Sequence, residues 1–219
     1  MLAGLAAAVV LLFAGSYSRV ETATGVIVLD KGVAPVLPSR AGIVAAVAAR
    51  EGQGVRAGEP LVRIAVGEGS YTLTAPCRGI VTAVAARPGQ PAEPGQPLMV
   101  VVPDGATPRA ELYVPTRAAG FLAAGQEVRL AVDAFPYQQF GTRTARIAAV
   151  SRVAVPRRLA DGRSVPVYLV SADLDRPWVA AFGRRHGLLP GMTLTARIVT
   201  ERQSLAEWLF EPLFAARGR

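Results

Sequence analysis

The sequence predicts a mainly β protein: an N-terminal transmembrane helix, a small duplicated sandwich, an antiparallel β-barrel and a short C-terminal helix. Three observations carry this reading. Residues Met1 to Ser18 hold no charged side chain, and a later segment repeats itself without a gap at a shift of 37 residues. From about Ala110 onward, apolar residues alternate with polar ones at period two, the signature of half-buried strands. At 219 residues with 51% apolar side chains, the chain is long enough for one large or two small cores.

Composition also excludes chemistry. The net charge is +8, and Lys31 is the only lysine, so the positive charge is almost all arginine. A lone cysteine, Cys77, rules out an intramolecular disulfide framework. A lone histidine, His186, rules out any site that needs two imidazoles.

The leading run is built from Leu2, Leu5, Val9, Val10, Leu11, Leu12 and Phe13, with alanine and glycine between them, and Arg19 and Glu21 close it. Eighteen helical residues span about 27 Å, close to the roughly 30 Å hydrocarbon core of a bilayer. A buried core helix would keep a polar face, and this run has none. The alternative is a cleaved signal peptide, for which Ala14-Gly15-Ser16 offers a small-residue site. Such a peptide wants a positively charged start, which Met1 to Ser18 do not supply. A basic stub upstream of Met1 would complete the anchor.

The repeat lays Gly42-Ile43-Val44 on Gly79-Ile80-Val81 and Ala46–Arg50 on Ala83–Arg87. Gly52 then falls on Gly89, Gly58 on Gly95, and Pro60-Leu61 on Pro97-Leu98, so about half of the positions from Gly42 to Ala65 are identical. Chance in an alanine-rich chain does not put glycines and prolines in register. Glycines at this density supply positive-φ turns. The Ala/Val stretches between them are short and bounded by Gly and Pro, which favours strands over helices.

Beyond the repeat, Val128, Leu130 and Val132 alternate with Glu127, Arg129 and Asp133. Val165, Val167 and Leu169 alternate with Pro166 and Tyr168, and Met192, Leu194, Ala196 and Ile198 with Thr193, Thr195 and Arg197. Asp161-Gly162 predicts a hairpin turn between two such strands. At the end, Ser204 and Glu207 form a capping box ahead of Leu205, Trp208 and Leu209, and Pro212 ends the helix. That apolar face either docks on the barrel or lays Trp208, Phe210 and Phe214 at the membrane surface or on a transporter.

The paired half-motifs, apolar–Gly–Ile–Val followed by Gly-x-x-Val-x-x-Gly-x-x-Leu, resemble the lipoyl-like (barrel-sandwich hybrid) domain of the HlyD-type periplasmic adaptors, or membrane fusion proteins. The resemblance continues through Ala110–Pro115, Gly125–Leu130, Phe135–Gly141 and Leu189–Ala196, which are similar to the family's β-barrel domain. Glu201–Leu213 is similar to the tail of toxin and bacteriocin exporters' adaptors. The implied organisation is an anchor over 1–18, a linker or strand over 19–36, a lipoyl-like domain over 37–103, a β-barrel over 104–200 and a helical tail over 201–219. One departure stands out. The family usually separates its lipoyl halves by a long α-helical hairpin, and here Gly67–Tyr71 leaves room for a turn only.

The resemblance implies a non-enzymatic adaptor subunit of a secretion or efflux system, coupled to an ABC-type exporter of peptide or protein. Its expected location is the bacterial inner membrane, single-pass, with the bulk of the chain in the periplasm. The implied partners are that transporter, the bilayer and further copies in a ring. An outer-membrane channel is a doubtful partner without the hairpin. The alternative is a hairpin-less structural or regulatory envelope module. Carrier domains of this shape present a lysine at the turn joining the halves. Gly67–Tyr71 has none, so no lipoyl or biotinyl cofactor is expected. No metal or catalytic site is expected either: Cys77 follows Ala75-Pro76 on a small-residue strand, where it is expected as a buried structural thiol, and His186 sits in an exposed, arginine-flanked loop. The arginines are dispersed and accompany no groove-reading helix, which argues against nucleic acid.

Overall fold

The computed structural model describes residues 16–159 and 161–204, with side chains over 20–159 and 161–198. The described chain forms two compact units. One holds the residues up to Val28 and those from Pro108 onward, and the other is Leu29–Thr107. The second is thus inserted between two strands of the first.

The inserted unit is a sandwich of two four-stranded sheets. Its strands are β2 (Ala34–Val36), β3 (Gly42–Val47), β4 (Gly54–Val55), β5 (Pro60–Val66), β6 (Gly69–Thr74), β7 (Gly79–Val84), β8 (Pro91–Ala92) and β9 (Met99–Pro103). The first sheet runs β2-β9-β7-β4 and the second β6-β5-β3-β8. Shifting the chain by the repeat length turns one order into the other, with β2 the twin of β6, β3 of β7, β4 of β8 and β5 of β9. The hydrogen bonds follow the same rule. Gly52 N–H donates to the Val81 carbonyl at 2.7 Å, and its twin Gly89 donates to Val44 at 2.8 Å. Register shifts fall at twin positions too, between Val44 and Ala46 and between Val81 and Ala83.

The core between these sheets is built from twins: Val44 and Val81, Leu61 and Leu98, Ile64 and Val101, all at most 1% exposed. Each such side chain contributes roughly 1.5–3 kcal/mol on leaving water. The domain begins before the expected residue 37, with β2 as its first strand. Ala34-Pro35-Val36 shares no residue with its twin Tyr71-Thr72-Leu73, so only the strand pairing reveals it.

The other unit is a closed six-stranded barrel. Its strands are β1 (Ser16–Leu29), β10 (Pro108–Pro115), β11 (Glu127–Val132), β12 (Arg143–Arg158), β13 (Ser164–Leu174) and β16 (Thr193–Ser204), in the order β1-β10-β13-β12-β11-β16. Two short strands, β14 (Trp178–Ala181) and β15 (Arg184–Gly187), form a separate hairpin. Ile27, Leu112, Leu130, Ile147, Leu194 and Ile198 are fully buried in the barrel core.

Four expectations change here. The stretch 19–36 was expected as linker or strand ahead of the folded domains, and its first part is instead a barrel wall. β1 pairs with β16 from Ser16↔Ser204 to Val26↔Thr193 and removes the open edge that the other strands would leave. Ser16–Ser18, expected at the end of the membrane helix, are the first residues of that strand. At the other end, Glu201–Ser204 extend β16 instead of opening the helical tail. Finally, the inward face of β13 is the alternate set of residues from the expected Val165, Val167 and Leu169. Val170 and Ala172 face the barrel core with Tyr168, opposite the buried Leu112, Ala110 and Val114 in an unbroken register, so Val165 and Leu169 are only half-buried and Val167, though buried, lies outside that core. The expected helix over 1–15 and the tail residues Trp208, Phe210 and Phe214 lie outside the described residues. No helix among the described residues is long and apolar enough to cross a membrane.

Candidate functional site

The six half-motif glycines divide into two physical classes. Gly42 and Gly79 have no left-handed backbone. Each instead lies under its neighbouring strand, so that a Cβ would run into the carbonyl oxygen of Ala65 or of its twin Val102. Gly52, Gly58, Gly89 and Gly95 face open space, and each has φ between +80° and +86°, where an L side chain is strained. The first pair lets strands approach and the other four turn the chain.

Between the halves, Val66 pairs with Gly69, so β5 and β6 are joined by the two residues Gly67-Glu68, and Gly69–Tyr71 belong to the strand rather than to the turn. Lys31, the only lysine, occupies the twin position of Glu68, at the end of the sandwich where the chain enters and leaves. There Asp30 Oδ1 accepts hydrogen bonds from the backbone N–H of Lys31 and of Thr107, both at 2.8 Å, and Lys31 Nζ donates to the Asp104 carbonyl at 2.8 Å. The Thr107 N–H is the main cause that holds the Asp30 carboxyl below its ordinary pKa. Desolvation opposes it, and Lys31 adds to it through its N–H and its charge. Asp104 also pairs with Arg78 at 2.9 Å. Beside them an open cleft of about 380 Å³ is lined by Arg56, Glu59, Arg78 and Asp104 with the backbone of Gly54 and Gly79.

The nucleophile and imidazole candidates fall in different units. Cys77, expected buried on a strand, is instead half-buried in the bend after β6 of the sandwich. His186, expected in an exposed loop, is exposed but lies on strand β15, its ring 6.0 Å from that of Phe135. Among the described residues no cluster of His, Cys, Asp and Glu could hold a metal ion.

One feature of the barrel escaped the sequence reading. Phe182 and Gly183 form the turn of the β14–β15 hairpin, and Phe182 has φ +51° and is 83% exposed. Its ring meets Phe140 at 5.2 Å, Phe140 meets Phe135 at 6.3 Å, and the Arg185 guanidinium lies 4.5 Å over Trp178. The available signal was Phe182-Gly183 between two short β segments, a place where asparagine or glycine would normally precede the glycine.

Comparison with known proteins places names beside this geometry. Residues 108–201 match the family model described as AprE-like, beta-barrel domain, and residues 39–101 match the one described as Biotin-requiring enzyme. Leukotoxin secretion protein D of Mannheimia haemolytica is 35% identical over 116 residues, 52% of this chain and 23% of that protein. Protein CyaD of Bordetella pertussis is 31% identical over 120 residues, 55% of this chain and 26% of that protein. The matched segment is thus about a quarter of the length of these relatives. Among solved structures, MacA from Actinobacillus actinomycetemcomitans aligns with a TM-score of 0.62 at 16% identity, covering 87% of this chain and 81% of that one, a likeness of fold.

Proposed function

We propose that this chain is a HlyD-type membrane fusion protein, an adaptor subunit of an envelope secretion or efflux system, coupled to an ABC-type exporter of peptide or protein. The observation that carries the reading is the architecture: a duplicated lipoyl-like sandwich inserted between neighbouring strands of a β-barrel. A relative named as a secretion protein, leukotoxin secretion protein D, shares about a quarter of its length with it. The uncharged run that precedes β1 is assigned as a single-pass inner-membrane anchor, with the barrel and sandwich in the periplasm. Copies tethered on one membrane then assemble into a ring around the exporter. The reading assigns no catalytic residue.

The two-residue turn Gly67-Glu68 favours one specific version of this role. A helical hairpin that reaches an outer-membrane tunnel has no place there, so the adaptor acts close to the inner membrane. The same turn supports the second reading, an envelope module without a transport role.

Affinity purification from solubilised inner membranes tests the proposal. An ABC-type exporter is expected to copurify, and deletion of the gene is expected to abolish export of its cargo. Unchanged export would favour the envelope module. Recovery of the chain in the soluble fraction after cell breakage would overturn the anchor.

A further inference from the structure

From β1 through β16, β11, β12 and β13 to β10, each barrel strand runs antiparallel to the one before it. The end of the barrel that begins β1 at Ser16 therefore also carries the β12–β13 turn. The segment from the short helix Thr116–Ala119 to the start of β11 lies there too. The uncharged run precedes Ser16 directly, so this is the end nearest the assigned anchor.

Four large apolar side chains stand exposed at this end: Val20 49%, Phe121 47%, Val153 70% and Leu159 37%. A bulge puts Val153 there. β12 pairs with β11 only as far as Arg146, and on its β13 side Ser151, Arg152 and Val153 together oppose Leu169 alone. The Ser151 hydroxyl donates to the Val153 carbonyl at 2.8 Å and accepts from the Val153 N–H at 3.2 Å, which fixes the bulge. Such a bulge bends the strand and re-aims its side chains.

Cations dominate the same end. The carboxylates with described side chains are in ion pairs, Glu21 with Arg117 at 3.2 Å, Asp161 with Arg163 at 2.7 Å and Glu127 with Arg129 at 4.0 Å. Arg157 is laid on the barrel wall, 3.8 Å over the Tyr113 ring and donating to the Thr24 hydroxyl at 2.7 Å. Arg152 and Arg158 are exposed, and among the described residues neither has a partner. The paired ends of β1 and β16 add Arg19 and Arg202 with one more carboxylate, Glu201.

We propose that this end of the barrel rests on the bilayer that holds the anchor, with Phe121, Val153 and Leu159 in the headgroup layer and Arg152 and Arg158 on the phosphates of anionic phospholipid. A guanidinium meets a phosphate through two parallel N–H···O bonds. Basic residues mixed with large apolar ones are the composition of segments that lie in a membrane interface. The apolar residues come from separate segments, and a fluid lipid surface meets them without a matched counterpart for each. The tether holds these groups at high effective concentration over the lipid. With this second contact the barrel stands at a fixed tilt instead of swinging about Ser16. The proposal rests on the adaptor reading only for which surface is met.

The full chain in lipid nanodiscs tests it, in a Cys77→Ser background with a polarity-sensitive dye on Val153→Cys. In discs of equal phosphatidylcholine and phosphatidylglycerol the emission is expected to shift to the blue. In phosphatidylcholine alone it is expected to keep its value in water. Dye on Phe182→Cys, at the other end of the barrel between β13 and β16, is expected to keep that value in both. Arg152→Glu with Arg158→Glu should abolish the Val153 shift, and so should about 1 M salt, where the Debye length is about 3 Å. Arg152→Lys with Arg158→Lys should retain it, which a folding defect from losing the arginines would not allow. No shift in either lipid, an equal shift in both, a shift at Phe182, or a shift that requires added exporter overturns the proposal. Incorporation is scored separately. Chain held in the discs without a shift leaves the anchor and removes this contact. Chain that stays out of the discs but floats with phosphatidylglycerol vesicles, and loses that flotation with the two glutamates, removes the anchor and keeps the contact.

Discussion

The first half of the sandwich, through Val66, and the second, through Pro103, differ where they touch water and agree where they touch each other. Val44 matches Val81, Leu61 matches Leu98 and the half-buried Gly42 matches the buried Gly79, whereas Arg63 stands opposite Val100 in the repeat and Lys31 opposite Glu68. Two copies of one packing unit must fill the same narrow space, so their inward residues have little freedom. Outward residues answer to whatever lies outside. A duplicated fold thereby separates what packing demands from what a partner demands, and the second set is the functional signal.

Truncating the twin leucines tests this equivalence most severely. Leu61→Ala and Leu98→Ala are each expected to cost about 2–5 kcal/mol in urea unfolding, with similar values for the two. A gap of several kcal/mol between them would break the equivalence of the halves. Next come Gly42→Ala and Gly79→Ala, which push a Cβ onto a neighbouring carbonyl and should each cost about 1–3 kcal/mol. Gly52→Ala and Gly89→Ala meet no atom within 4 Å, so only their left-handed backbone is penalised. Thermal melts should register about 1–2 kcal/mol for each, below the pair that lies under a neighbouring strand. Inverting that order would mean the half-motif glycines have been assigned the wrong roles.

Away from the sandwich core the effects shrink. The barrel pair Arg117–Glu21, 3.2 Å apart with Glu21 15% exposed, is expected to contribute at most about 1 kcal/mol, and less in high salt. Smallest is the Asp30 clamp. A carboxyl held below its ordinary value of 3.8 stabilises the fold above that pH and loses its contribution as the pH falls through its own lower value. The Thr107 amide shift, followed by NMR on acidification, should therefore move below pH 3.8, and Asp30→Ala should abolish the transition. A midpoint at or above 3.8 would contradict the hydrogen-bonding pattern.

Much of this architecture was legible before the structure. Val128, Leu130 and Val132 are buried as their alternation predicts, and so are Leu194, Ala196 and Ile198. The repeat gave twin strands because glycine and proline positions survive the divergence of the two copies. β1 was harder. Its inward residues are Ala23, Gly25 and Ile27, two of them too small to make a hydrophobic alternation. Its partner β16 also lies at the far end of the chain, so nothing local marks it as a barrel wall. The same holds for Phe182, whose exposure and φ depend on the hairpin that carries it.

Periodicity and repetition are properties of neighbouring residues. The sequence alone therefore determined the strand-rich class, the duplication, the turn glycines and the absence of a long insertion between the halves. Which strands close a barrel, and which outward residues gather into one face, depends on contacts between segments far apart in the chain. Val33, Ile80 and Val102 form a patch only because β2, β9 and β7 lie side by side in that order. Strand order was the tertiary structure's decision, because pairing is set by packing across the whole unit rather than by any residue's own preference.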